Sequence, residues 1–300
     1  WNRRAPVLFP FVGRCKNDAF TYAGGTYHIG QHGFARDNVF EVIAAGQSSA
    51  SFSLQSNPEL KKKYPFDFEF IITYRLQGTT LSVEYDVTNR GSSMMFFSVG
   101  SHEAFRCPLV EGERFEDYTI KLNQNERLDR YYLEDGLAGL TGEPFIDFGQ
   151  ELPLSHEYFR SSAAVLKDVK STSATLRSGV SGHGVTVGFE GFPNLGLWQP
   201  YGAPFVCIEP WLGLSDAVNF SGELPNKAYI QRVNAGAPAP IRSRCFNLIY
   251  AVFPSRKYAL NSDPWENPPT DFHNPSQERE MPRPSEHFPG NAENLARFPV

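Results

Sequence analysis

Two neighbouring stretches constrain the fold more than anything else in this chain: FDFEFIITYRL (Phe66 to Leu76) and TLSVEYDVTNR (Thr80 to Arg90). Both are rich in β-branched and aromatic residues. Both alternate apolar with polar, the period-two signal of a strand with one buried face. Gln77-Gly78 and Asn89-Arg90-Gly91-Ser92 supply turn signals around them. SMMFFSVGSH (Ser93 to His102) reads as a third strand, and NVFEVIAA, SASFSL, YTIKLN, SATLRS, GVTVGFEG and CFNLIY as further ones. No long stretch has helical spacing. Many short strands at near-regular intervals predict an all-β antiparallel sandwich of large sheets.

Three hundred residues suffice for a full hydrophobic core. Aromatics make up 14 % of the chain, with 25 Phe and 13 Tyr, which suits a β-rich core and a sugar-stacking surface. A net charge of −5 gives no reason to expect a nucleic-acid partner. The one basic run, Lys61-Lys62-Lys63, reads as a solvated turn. Cys15, Cys107, Cys207 and Cys245 lie far apart with no CxxC pair, so neither a zinc site nor a disulfide framework is indicated. Reduced thiols, no membrane span and no signal-peptide layout predict a cytoplasmic protein. The chain opens on Trp1 inside an apolar pattern (APVLFPFVG), which reads as a fragment lacking its first strands. Residues 1–250 read as one domain. Residues 251–300, dense in Pro, Asn and Glu without an apolar period, read as a tail that is disordered or loosely packed.

FVCIEPWLGLSDAVNF (Phe205 to Phe220) sets Glu209 at the end of an apolar extended run, against Pro210 and Trp211. Burying an ionised carboxylate is costly unless it is paired, hydrogen-bonded or protonated. Glu209 is therefore either a capped structural residue or an acid-base group. His102 ends the apolar run SVGSH, where an imidazole at a strand terminus can give and take protons near neutrality. Taken alone it reads equally as a surface histidine beside Glu103. QHGFARD (Gln31 to Asp37) sets an amide, His32 and Arg36 around a glycine, a combination suited to a polyhydroxylated ligand or a phosphate, or to an ordinary turn. Trp198 offers an aromatic face to a sugar ring or to the core. His28, His156 and His183 read as structural. No phosphate-cradling Gly loop, nucleophile elbow or HExxH motif is present. The candidate chemistry is then a histidine and a glutamate working without a cofactor.

The set PVLFPFVGR, QHGFARD, YPFDFEF, VGSHEAF, LPLSHEYF and CIEPWLGLSDAVNF, in that order over residues 1–250, resembles the aldose 1-epimerase (galactose mutarotase) superfamily. The likeness is to its LacX-type branch and the related hexose-6-phosphate epimerases. That resemblance implies a β-supersandwich and cofactor-free interconversion of sugar anomers. It implies His102 as general acid, Glu209 as general base, and Gln31, His32 and Arg36 as sugar-contacting residues. The implied partner is a small sugar or sugar phosphate, with no nucleic acid and no membrane. Arg3, Arg4, Arg14 and Arg36 are the arginines available to a phosphate. Two departures stand out. Ser162 lies where the family usually has a sugar-binding aspartate, and Glu103 replaces a proline common after the histidine, which is expected to loosen that loop. The rival readings are a hexose-6-phosphate 1-epimerase and a carbohydrate sensor that has lost turnover.

Overall fold

The structure is a computed structural model that describes residues 3–237 and the backbone of the strand Arg244–Val252. Fourteen strands join one antiparallel sheet. From one edge the order runs Glu41–Ala45, Ser49–Gln55, Phe68–Gln77 and Thr80–Asn89, then Arg244–Val252, His183–Gly188 and Ser173–Ser178. It continues through Tyr118–Glu134, Ala164–Leu166, Asn194–Trp198 and Phe205–Leu212 to Val99–Gly100. Ala19–Tyr22 with Gly25–His28, and Met95–Phe97 with Gln231–Val233, form two small antiparallel sheets. This is the all-β sandwich that period-two alternation predicted. Among the described residues no helix is long and apolar enough to cross a membrane.

The core is aromatic, and its centre comes from the N-terminal segment. Phe9 is fully buried among Phe34, Tyr64, Phe68, Phe70 and Phe97, with ring centroids 4.5–6.3 Å away. Packing of this kind contributes about 0.5–1.5 kcal/mol per aromatic pair beyond simple burial. The same segment ties two site-bearing elements together through its backbone. Leu8 and Gly100 exchange N–H···O bonds of 2.9 and 3.0 Å, and the Phe9 carbonyl accepts from the N–H groups of Phe34 and Ala35.

The register around Phe205–Leu212 positions the chemistry. On one flank Val99 and Gly100 pair with Leu212 and Trp211, while Glu103 and Ala104 pair with Ile208 and Cys207. Carrying that register across the gap sets His102 opposite Glu209 and Ser101 opposite Pro210. The gap has a local cause. Pro210 has no N–H to give, although its carbonyl accepts from the Ser101 N–H at 3.0 Å. On the other flank Gly196 pairs with Glu209, and Trp198 with Cys207. Paired residues and their i±2 neighbours share a sheet face. His102, Cys207, Glu209, Trp211 and Trp198 therefore project to one side, and Glu103 with Ile208 to the other. Small residues make the room. A Cβ on Gly196 would lie 2.6 Å from the Trp211 ring, and one on Gly100 2.9 Å from it.

Several sequence expectations need correction. Glu209 is interior to its strand rather than at its end, because Pro210 interrupts only one bond of the ladder. Ser93 to His102 is split. Met95–Phe97 and Val99–Gly100 belong to different sheets, parted at Ser98, which donates its N–H to Pro10 and accepts from the Val12 N–H. Glu103 opens the strand Glu103–Arg106 instead of loosening a loop. Lys61, Lys62 and Lys63 form the last turn of a six-residue α-helix, Pro58–Lys63, capped by the Asn57 side chain. YTIKLN is the start of a 17-residue strand, Tyr118–Glu134, whose partner Leu137–Pro153 is equally long. Register shifts within that hairpin break the alternation that would have revealed it. Arg244–Val252 runs two residues into the segment read as a tail, and the rest of that segment lies outside the described residues.

Two outcomes are expected. Gly196→Ala overpacks the indole and should lower stability by about 1–3 kcal/mol, read as an earlier denaturation midpoint at unchanged slope. An unaltered midpoint would show that Trp211 moves freely. Burial pushes the half-buried Glu103 carboxyl up to about 8 from 4.5. The folded state thus keeps a proton that the unfolded chain releases. The stability it contributes is complete below pH 4.5 and lost as pH rises through about 8. Melting temperatures of Glu103→Gln should therefore fall less than those of the parent chain between these limits, and parallel curves would refute the assignment.

Candidate functional site

A cavity of about 580 Å³ opens over this face of the sheet, within the size range of small-molecule sites. Glu209, His102 and Trp211 lie on its lining, with Trp198 beside them and His32 and Arg36 contributed by the QHGFARD loop. All six sequence-predicted site residues, Gln31 included, line this one cavity.

His102 Nε2 lies 3.3 Å from Glu209 Oε2, and both side chains are nearly inaccessible to solvent. Burial pushes the imidazole down to about 4, opposed by its own backbone and helped by Arg36. Burial raises the Glu209 carboxyl well above its ordinary range, the nearby Trp211 indole lowers it, and Glu103 raises it further. Both shifts favour uncharged forms. Glu209 Oε2 has no hydrogen-bond partner among the described residues, so the 3.3 Å approach is a close contact of the two groups. The edge of the Trp198 ring system meets the His102 ring at a centroid distance of 5.6 Å and nearly a right angle.

His32 is held differently. Its backbone lies in the left-handed region at φ 65°. Its N–H donates to the Gly13 carbonyl at 2.7 Å, and its ring Nδ1 accepts from the Gly13 N–H at 3.0 Å. With Nδ1 an acceptor, the ring proton sits on Nε2, which makes His32 a neutral donor. Burial and the nearby His102, Arg36 and Arg3 push its pKa well below the usual value. Arg36 is half-buried. It donates through Nη2 to the Gln31 carbonyl at 2.6 Å, and among the described residues its buried Nε has no hydrogen-bond partner.

The cavity also holds residues that sequence reasoning had not assigned. The turn Asp135-Gly136 of the long hairpin lines it, as do Ser161 and Ser215. The Asp-Gly pair was a legible turn signal, but its place at the site depends on the hairpin's length. Ser162 lines the cavity as well, its hydroxyl accepting from the Leu133 N–H and donating to the Ala163 carbonyl. Of the four arginines, Arg3 and Arg36 come together on one carboxylate, Asp37, with Arg36 Nε 3.9 Å from it. Arg14 and Arg36 line the cavity, but Arg14 is held by Asp18 in a two-pronged ion pair, and Arg3 is paired with Asp37.

A ligand set for a metal exists despite the scattered cysteines. One ligand atom each from His102, Cys207 and Glu209 lies within 4.8 Å of the others. Cys15, Cys107 and Cys207 are buried free thiols.

The comparisons with known proteins agree with this fold. The family model for aldose 1-epimerase matches residues 1–224. A LacX protein of Lactococcus lactis subsp. lactis is 37 % identical over 243 residues, 78 % of this chain and 81 % of LacX. Among solved structures, a galactose mutarotase related enzyme from Lactobacillus acidophilus superposes with a TM-score of 0.79 at 33 % identity, over 85 % of each chain. A galactose mutarotase-like protein from Lactobacillus casei ATCC 334 gives a TM-score of 0.77 at 32 % identity, over 84 % of this chain and 86 % of the other. With the fold, the cavity and these likenesses together, the chain belongs to the aldose 1-epimerase family.

Proposed function

We propose that this protein is a cofactor-independent isomerase that interconverts the α and β anomers of an unphosphorylated hexose. The observation that carries the reading is the cross-strand contact of His102 with Glu209 at the floor of a hexose-sized cavity.

The reaction requires one proton to leave the C1 hydroxyl and another to reach the ring oxygen, both atoms bonded to the same carbon. A base and an acid side by side, rather than on opposite walls, address both oxygens from one edge of the sugar. The form that acts on a bound sugar has His102 protonated and Glu209 ionised, so that His102 is the acid and Glu209 the base. Glu209 then takes the C1 hydroxyl proton while His102 protonates the ring oxygen, and the C1–O5 bond breaks to give the open-chain aldehyde. Rotation about C1–C2 presents the other carbonyl face. Closure with the same groups in reversed roles yields the other anomer and restores the starting protonation.

His32, as an Nε2–H donor, Gln31 and the spare N–H of Arg36 hold the sugar hydroxyls, and Trp198 supplies an apolar wall for a ring face. The ion pairs of Arg3 and Arg14 favour a neutral sugar over its phosphate ester, since a phosphate would have to displace Asp37 or Asp18.

Saturation-exchange NMR on glucose, galactose and glucose 6-phosphate tests this. The parent chain should accelerate anomer exchange of a free hexose. His102→Ala and Glu209→Gln should each slow it by roughly 10²- to 10⁴-fold while sugar affinity changes little. Saturable sugar binding without acceleration in the parent chain would identify a sensor. Acceleration confined to the ester would move the substrate to the phosphorylated branch.

A further inference from the structure

Cys207 has no part in the proton transfers, yet the register sets it on the same face as the acid-base pair, two residues before Glu209 and across from Trp198. It is fully buried, and folding brings its sulfur, a His102 nitrogen and a Glu209 oxygen to within 4.8 Å of one another. Thiolate, imidazole and carboxylate are the three protein ligand types zinc takes, and a three-ligand set with an open fourth position is the form of sites that exchange solvent. Bonds of about 2.3 Å to sulfur and about 2.0–2.2 Å to nitrogen and oxygen place tetrahedral ligands nearer together than 4.8 Å. Closing around an ion thus needs side-chain shifts on the order of 1 Å. Of the three ligands, His102 and Glu209 line the cavity, while Cys207 lies buried behind it.

We propose that His102, Cys207 and Glu209 form a zinc-binding site whose occupancy blocks the acid-base pair, making the protein reversibly zinc-inhibited. On binding, the Cys207 thiol and the Glu209 carboxyl each release a proton to solvent, the thiolate, the carboxylate and the neutral His102 nitrogen each give a lone pair to the ion, and water fills the fourth position. The binding stands independently of the sugar reading. Only the inhibition rests on it.

Zinc chloride is titrated calorimetrically into chelator-treated protein, and cobalt(II) absorption spectra are recorded in parallel. The parent chain, Cys207→Ser, Cys207→Ala and Glu209→Gln are compared, each checked for folding by its melting transition. One equivalent of zinc should bind. Cobalt should give a thiolate charge-transfer band that both Cys207 variants lack, and zinc affinity should fall at least tenfold in all three variants. In the exchange assay the Cys207 variants should keep the parent rate without metal and need at least tenfold more zinc for half-inhibition, and chelator should restore the parent chain. Two Cys207 substitutions keep the test open if one of them fails to fold. Absence of saturable binding, a cobalt spectrum without the sulfur band, or undiminished affinity in the folded Cys207 variant would overturn the site. Zinc binding with the sulfur band in a chain that exchanges no anomers would uphold the site and refute the proposed function instead.

Discussion

A carboxyl buried to 1 % exposure, directly across a strand pair from an imidazole, is the constraint on which the rest of this structure depends. Water solvates neither group well, so each is pushed toward its uncharged form. That arrangement requires a rigid strand register beneath it, side chains small enough at Gly100 and Gly196 for the indole to lie beside the carboxyl, and a cavity into which both groups open. Pro210 contributes by removing one ladder donor next to Glu209. The sheet loses one bond there, and the strand pairing is interrupted at Ser101 and His102 without a change of register.

The N-terminal segment links this floor to the cavity's polar wall. Phe9 fills the aromatic core, Leu8 pairs with Gly100 beneath His102, and Gly13 fixes the tautomer of His32 by donating to its ring. One extended stretch thus couples core packing to the orientation of two histidines whose rings lie 5.8 Å apart. Because the contacts are backbone bonds and buried rings, they do not depend on ionisation. The exception is the bond from the Gly13 N–H to His32 Nδ1, which requires that ring to stay neutral.

The face that suits proton transfer also suits metal ligation, and for the same reason. A strand places residues i and i+2 on one side, so a cysteine two positions before the glutamate inevitably joins the group. The acid-base pair of the proposed reaction is then open to capture by the proposed ion. The chemical distinction between the two uses is the thiol alone, since the imidazole and carboxylate are common to both.

Much of the architecture was legible in the sequence because alternation reports directly on a half-buried strand. Ser173–Ser178 coincides with the stretch SATLRS, and Phe68–Gln77 and Thr80–Asn89 match their sequence runs within two residues. Bulges erased that signal in the long hairpin Tyr118–Glu134 and Leu137–Pro153, and a chain crossing at Ser98 divided what reads as one apolar run. The candidate residues were legible too: Glu209 through the anomaly of a carboxylate in an apolar run, and His102, His32, Gln31 and Arg36 through short polar motifs beside glycine. Their proximity was not. Local sequence determines which residues lie in strands and which face each takes, because those follow from backbone geometry and side-chain polarity. Only the pairing of strands distant in sequence decides that residue 102 lies opposite 209, that the hairpin turn lines the same cavity, and that Cys207 joins them. Register is a property of two chain segments together and is written in neither one alone.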